Sequence, residues 1–187
     1  MSPDQPQALS DGITFQATLP VDWSKLQSLP TDSAQSQASS ANLRLLNALN
    51  ILEELPQDFE KPTSNLMQNP HLEAKLDLIL GMLGELLRQQ AKMPSPSTMT
   101  ISAHSLSISD VPEVSLPSVG DLLQVRLFLD TRYPQVLVLS GTVSFTTKTS
   151  FTLEFHGLNE LVQEQLDKFV FRHHRRAIAQ SRQSVDS

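Results

Sequence analysis

The chain has 187 residues, of which 39% are hydrophobic and 5% aromatic, and a formal net charge of −6. That length bounds it to one domain, or a small domain with an elaboration, around a modest core. The absence of cysteine excludes disulfides and thiolate-based metal or redox sites, and the acidic balance argues against non-specific nucleic-acid binding, which needs a basic footprint.

Residues 1–12 are rich in Pro, Gln, Ser and Asp and read as a disordered tail. They hold no basic-then-apolar leader, and no apolar run in the chain approaches the roughly 20 residues that span a bilayer. The chain therefore reads as soluble and cytoplasmic, without membrane insertion. Ile13, Phe15, Ala17 and Leu19 then alternate with polar residues, the period of a half-buried strand. Pro20 stops the alternation, and Trp23 follows as an anchor. Residues 28–41 have linker composition and no periodicity.

Asn42 can cap a helix over 43–55, with Leu45, Leu46, Leu49 and Leu52 on one face. Pro56 ends it, and a second linker over 57–65 leads to Asn69 as cap and Pro70 at the first helical position. From there Leu72, Leu76, Ile79, Leu83 and Leu86 recur at spacings of four, three, four and three, the a/d seam of a coiled coil in a helix over 70–92. Leu80 and Leu87 add a second apolar row, and Met82 widens the seam. So apolar a helix either fills a core or meets several partners, and self-association, of more than two helices because a narrow two-helix seam would leave Leu80 and Leu87 wet, fits a small protein with little core to spare. Gly81 and Gly84 each cost about 1 kcal/mol against Ala in a helix interior. They mark either close approach of a neighbouring backbone or an exposed face.

Pro94 and Pro96 close that helix, and from Thr98 to Phe155 the apolar period becomes two. The alternating sets are Ile101, Leu106 and Ile108; Leu123, Val125, Leu127 and Leu129; residues 136–139; Val143 and Phe145; and Phe151, Leu153 and Phe155. Breaks at Pro112, Pro117, Gly120, Pro134 and Gly141 give short strands of a small antiparallel barrel or sandwich. Asn159 caps a last helix carrying Leu161, Val162, Leu166, Phe169 and Val170 on one side.

No serine elbow, P-loop, metalloprotease motif or dinucleotide fingerprint is present, which speaks against an enzyme. His71, His104 and His156 are isolated, and the adjacent His173 and His174 cannot chelate one ion from a helix; they read as surface residues. Between Lys168 and Arg182 lie five cations and no carboxylate, although the chain is acidic. Arg172 and Arg176, four apart, share a helix face with Arg175 close by, so they either grip a phosphate or carboxylate or complement the helix C-terminus. Ser102, in MTISAHSLSI, either meets a ligand or bonds its own turn.

The block ISAHSLSISDVPEVSLPSVGDLLQVRLFLDTRYPQVLVLSGTVSFTTKTSFTLEFHGLN resembles the body of a PilZ domain, whose elements fall on residues 100–105, 120–129, 140–145 and 151–155. With LPVDW in the first strand, LEAKLDLIL in the long helix and the FRHHRR ending, the chain is similar to the atypical, tetramer-forming PilZ family, named as a cyclic di-GMP receptor. The resemblance spans about residues 12–182. It implies an α+β fold: a small antiparallel PilZ-like β-barrel with a two-helix insertion and a C-terminal helix. The first barrel strand would be 13–23, the insertion 24–95, the barrel body 96–158, the last helix 159–182 and the tail 183–187.

The resemblance also implies a cyclic di-GMP signalling receptor or adaptor that is not an enzyme, needs no cofactor, and has a protein partner still to be named. Its usual ligand site would include Ser102, so the candidate ligand residues of this chain are Ser102 and, at the opposite end of the sequence from the family's arginines, Arg172, Arg175 and Arg176. The family's R-x-x-x-R before the first strand is absent, since residues 1–12 hold no arginine. The D-x-S-x-x-G position keeps only Ser102, in Thr100-x-Ser102-x-x-Ser105. Each missing charge-assisted bond would be worth roughly 1.5–3 kcal/mol. The alternative is a nucleotide-independent assembly or docking module.

Overall fold

A computed structural model of the chain describes residues 12–54, 93–130 and 135–183, together with Lys75, Leu78, Ile79 and residues 81–83. Of the expected tails over 1–12 and 183–187, residues 1–11 and 184–187 lie outside the described residues, whereas Gln183 is helical; the 57–65 linker, the Asn69–Pro70 start, Gly84 and the break at Pro134 also lie outside the described residues.

Apolar alternation produces six strands, and they close into a barrel. β1 (Phe15–Lys25) is followed by helix α1 (Asp32–Glu54), then β2 (Pro96–Ile101), β3 (Ser105–Ile108), β4 (Leu122–Leu127), β5 (Leu137–Thr146), β6 (Phe151–Phe155) and helix α2 (Glu160–Gln183). Every pairing is antiparallel, in the order β1-β2-β3-β6-β5-β4 and back to β1. The fold is α+β. Ile101, Leu106, Ile108, Leu123, Val125, Leu127, Leu139, Phe151 and Leu153 all point inward and are fully buried, each stabilising the fold by roughly 1.5–3 kcal/mol relative to exposure.

Closure depends on one strand serving two neighbours. β1 pairs with β2 from Phe15↔Ile101 to Pro20↔Pro96, then with β4 from Val21↔Leu127 to Lys25↔Leu123. Pro20 therefore does not end the strand. It sits where β1 passes from one partner to the next, and its carbonyl accepts from the Phe128 N–H at 3.1 Å while no donor is required of it. Trp23, as expected, anchors this segment, its ring 5.1 Å from Phe151 edge-on.

Two barrel expectations change. Gly141 lies inside β5 rather than at a break, because a Cβ there would collide with the Glu154 carbonyl of β6. Phe145 is 41% exposed although it follows the inward period. A register shift between Val143 and Phe145 places Phe145 opposite Thr152 and turns the period over.

The presumed linker 28–41 is also mostly helix. α1 begins at Asp32, capped by the Thr31 hydroxyl, which accepts the Ala34 N–H at 3.4 Å. Asn42 is thus ten residues inside the helix and caps nothing. Its buried amide instead reaches Val138 of β5. Leu45, Leu46 and Leu49 seal α1 onto the core as expected. The Leu52 side chain lies outside the described residues.

α2 starts as expected, the Asn159 side chain accepting the Leu161 N–H at 2.8 Å. Val162, Leu166, Phe169 and Val170 enter the core, while Leu161 is 54% exposed. A helix turns about 100° per residue, so Leu161 and Val162 cannot both face the barrel. Phe169 and His173 pack on Phe15, at 6.0 and 4.6 Å between ring centres, and fasten α2 to β1.

Candidate functional site

The first part of the site falls within the helix expected over 70–92. Lys75, Leu78, Ile79 and residues 81–83 are helical and exposed. Leu78, Ile79, Met82 and Leu83 stand at 63, 57, 61 and 53% exposure. At spacings of one and four they form two adjoining rows of one stripe. Ile79 and Leu83 belong to the predicted seam, and Met82 beside it. Leu78 was not predicted, although its position four residues before Met82 was readable. The other seam residues, Leu72, Leu76, Leu80, Leu86 and Leu87, lie outside the described residues. Among the described residues, a Cβ on Gly81 would meet nothing within 4 Å.

The turn carrying Ser102 is the second part. Ser102 is buried, and its hydroxyl accepts the N–H of Ser105 at 2.9 Å and of His104 at 3.2 Å. It also lies 2.9 Å from the Ser105 hydroxyl. Bonding its own turn is therefore what Ser102 does in this structure. The same turn is tied to α2, where the Gln163 amide donates to His104 Nδ1 at 2.6 Å.

The arginines are spread around α2 rather than gathered. Arg172 Nη1 donates to the Asn50 carbonyl at 2.7 Å. Because α1 has no basic residue in its last turn, Arg172 supplies a cation close to that negative end. Arg175 lies over the Phe171 ring at 5.7 Å, and Arg176 is exposed. Neither histidine is a bare surface residue: His173 is held between Phe15 and Phe169, and His174 Nδ1 donates to the Thr14 carbonyl at 2.7 Å.

Two clefts of similar size flank these elements. One, of about 350 Å³, opens between the start of α1 and the β6–α2 connection, where Gln35, Ser36, Ser39, Ser40 and Asn159 line it and Asp32 is the charged residue. The other, of about 340 Å³, lies between residues 14–16 and His174, Ala177 and Ile178. Neither is lined by Ser102 or by Arg172, Arg175 or Arg176. Sequence reasoning missed both, since each is made by residues far apart in the chain. Among the described residues no group of three or more His, Asp or Glu could hold a metal, and no helix is long and apolar enough to cross a membrane.

The described residues thus form a closed six-stranded barrel with helices packed outside it. The family model for the atypical PilZ domain, described as a cyclic di-GMP receptor, matches residues 43–183, and the chain belongs to that family. A crystal structure of a tetrameric PilZ domain protein from Xanthomonas campestris, described as self-assembled via an unusual helical bundle, is similar at 23% identity and a TM-score of 0.73. The match covers 91% of this chain and 93% of that one. The Bacillus subtilis inhibitor of motility, MotI/DgrA, matches at 15% identity and a TM-score of 0.37 over 43% of this chain and 42% of its own. No curated protein matches the chain.

Proposed function

We propose that this chain is a non-enzymatic PilZ-type signalling adaptor of the bacterial cytoplasm that assembles, as a tetramer, through its long helix and needs no cofactor. The observation that carries this reading is the stripe of Leu78, Ile79, Met82 and Leu83, each more than half exposed. Side chains of that size stabilise by roughly 1.5–3 kcal/mol when fully buried, and an isolated helix would forgo all of it. The helical bundle described for the Xanthomonas protein supports the same use of the helix.

Cyclic di-GMP is the ligand that the family description suggests, but the usual arginine pair is missing and Ser102 and Arg172 are engaged inside the fold. Those two engagements favour the second reading, in which assembly and protein docking proceed without nucleotide. Light scattering on the wild type should give the mass of four chains, and Ile79→Glu with Leu83→Glu should give one. A monomeric wild type would sink the assembly reading. Calorimetry with cyclic di-GMP decides the nucleotide question separately. Heat that disappears in Arg172→Ala/Arg176→Ala would place the ligand on α2, and no heat at high micromolar ligand would leave the docking reading.

A further inference from the structure

The second half of α2 is a regular helical surface that the barrel core does not use. Residues 175–181 are all exposed. Within this overhang and the turn before it, Phe171 and Ile178 remain 45% and 40% exposed. Seven residues apart, they fall on one row of the helix, since two turns take about 7.2 residues. On one side of that row His174 and Ala177 line the cleft of about 340 Å³ against residues 14–16, with Ile178 at its rim. On the other side, about 60° from Ile178, lies Arg175. An apolar cleft, an apolar ridge and a basic flank thus run side by side.

Charge narrows the occupant. Of the five cations from Lys168 to Arg182, Lys168 pairs with Glu164 at 2.7 Å and Arg172 turns to Asn50, which leaves Arg175 and Arg176 exposed on an overhang whose residues 175–181 hold no carboxylate, in a chain of net charge −6. An anionic bilayer or a nucleic acid would feel the whole acidic protein as well as this patch, and two large apolar residues are few for anchoring in lipid. A short acidic segment would meet the patch alone, with carboxylates on the basic flank and one large apolar side chain in the cleft. We propose that the cleft and ridge between the start of β1 and the end of α2 dock a short acidic segment of another protein, seated by one aliphatic or aromatic anchor.

The test is selection of random 16-residue peptides displayed on phage against the immobilised full-length protein. Enriched sequences should combine several Asp or Glu with a Leu, Phe or Trp. Synthetic copies should lose at least tenfold in affinity to Ile178→Asp, several-fold to the milder Ile178→Ser and to Arg175→Glu, and less than twofold to Leu161→Ser on the same helix. No enrichment, enrichment without acidic bias, or binding untouched by Ile178→Asp overturns the proposal. So does loss of binding to phosphatidylglycerol vesicles in Ile178→Asp, which would make the surface a membrane site. A drop in the mass of that variant would make it a contact between copies and would equally overturn it. Circular dichroism of each variant confirms that the exposed substitution leaves the fold intact.

Discussion

The side-chain amide of Asn42 on α1 pairs with both backbone groups of Val138 on β5: Nδ2 donates to the carbonyl at 2.7 Å and Oδ1 accepts the N–H at 2.9 Å. β6 reaches β5 only as far as Phe155↔Gly141, so the first residues of β5 extend beyond it. His156 covers the next carbonyl, that of Ser140, at 2.8 Å. Asn42 therefore stands in for one residue of a missing strand. Asn42→Ala leaves a half-buried N–H and C=O unpaired, and should lower stability by roughly 2–4 kcal/mol. Urea unfolding measures this. A loss below about 0.5 kcal/mol would mean that water replaces the amide at no cost.

Gly141 is required by proximity rather than by a turn. A Cβ there would meet the Glu154 carbonyl and come 3.0 Å from Leu153 Cγ. Gly141→Ala must push β5 and β6 apart, and overpacking of this kind costs typically 1–3 kcal/mol. A melting temperature equal to the wild type's would show that the two strands separate freely.

These two residues also mark where sequence reading stops. The barrel was legible because period-two alternation places Ile101, Leu123, Val125, Leu127, Phe151 and Leu153 on the inside without reference to anything distant. The first ten residues of α1 were not, since Ser, Gln and Ala have no apolar period there and the helix is held by Thr31 at its start and by Asn42 and Leu45 further on. Phe145 was misplaced because a register shift shows only in the pairing. At the site, the spacing of Arg172 and Arg176 was readable, but not that Arg172 turns inward to Asn50.

That inward turn makes Arg172 a structural residue whatever the ligand. Its removal leaves the Asn50 carbonyl near the α1 C-terminus without a cation, at a cost of roughly 1–3 kcal/mol. Hydrogen exchange in the last two turns of α1 should quicken in Arg172→Ala, with or without cyclic di-GMP. Arg175→Ala should leave it unchanged. Equal protection in the wild type and Arg172→Ala would return Arg172 to the list of candidate ligand residues.

The Lys25 ammonium, 2.6 Å from Asp121, and then the Ser118 N–H at 2.7 Å hold the Asp121 carboxyl below the ordinary carboxylate range. A depressed folded-state pKa contributes stability that is complete above the unfolded value and fades as pH falls through the folded one. The wild type should therefore lose more stability between pH 7 and pH 3 than Asp121→Asn does. The difference is small, because Lys25 is mostly exposed. Urea midpoints at the two pH values measure it, and parallel pH profiles would show that the pair has no role.

Salt distinguishes the two exposed helical surfaces. The side chains of Leu78, Ile79, Met82 and Leu83 are apolar, with Lys75 one turn before them, so assembly through them should persist from 0.1 to 1 M NaCl, where the screening length falls from about 10 to about 3 Å. The cationic flank of α2 should lose acidic peptides over the same range. A tetramer that dissociates at 1 M salt would therefore be held by charges such as those of Arg175, and the apolar stripe would need another occupant. A tetramer that persists, with a peptide that leaves, assigns self-association to the long helix and docking to α2.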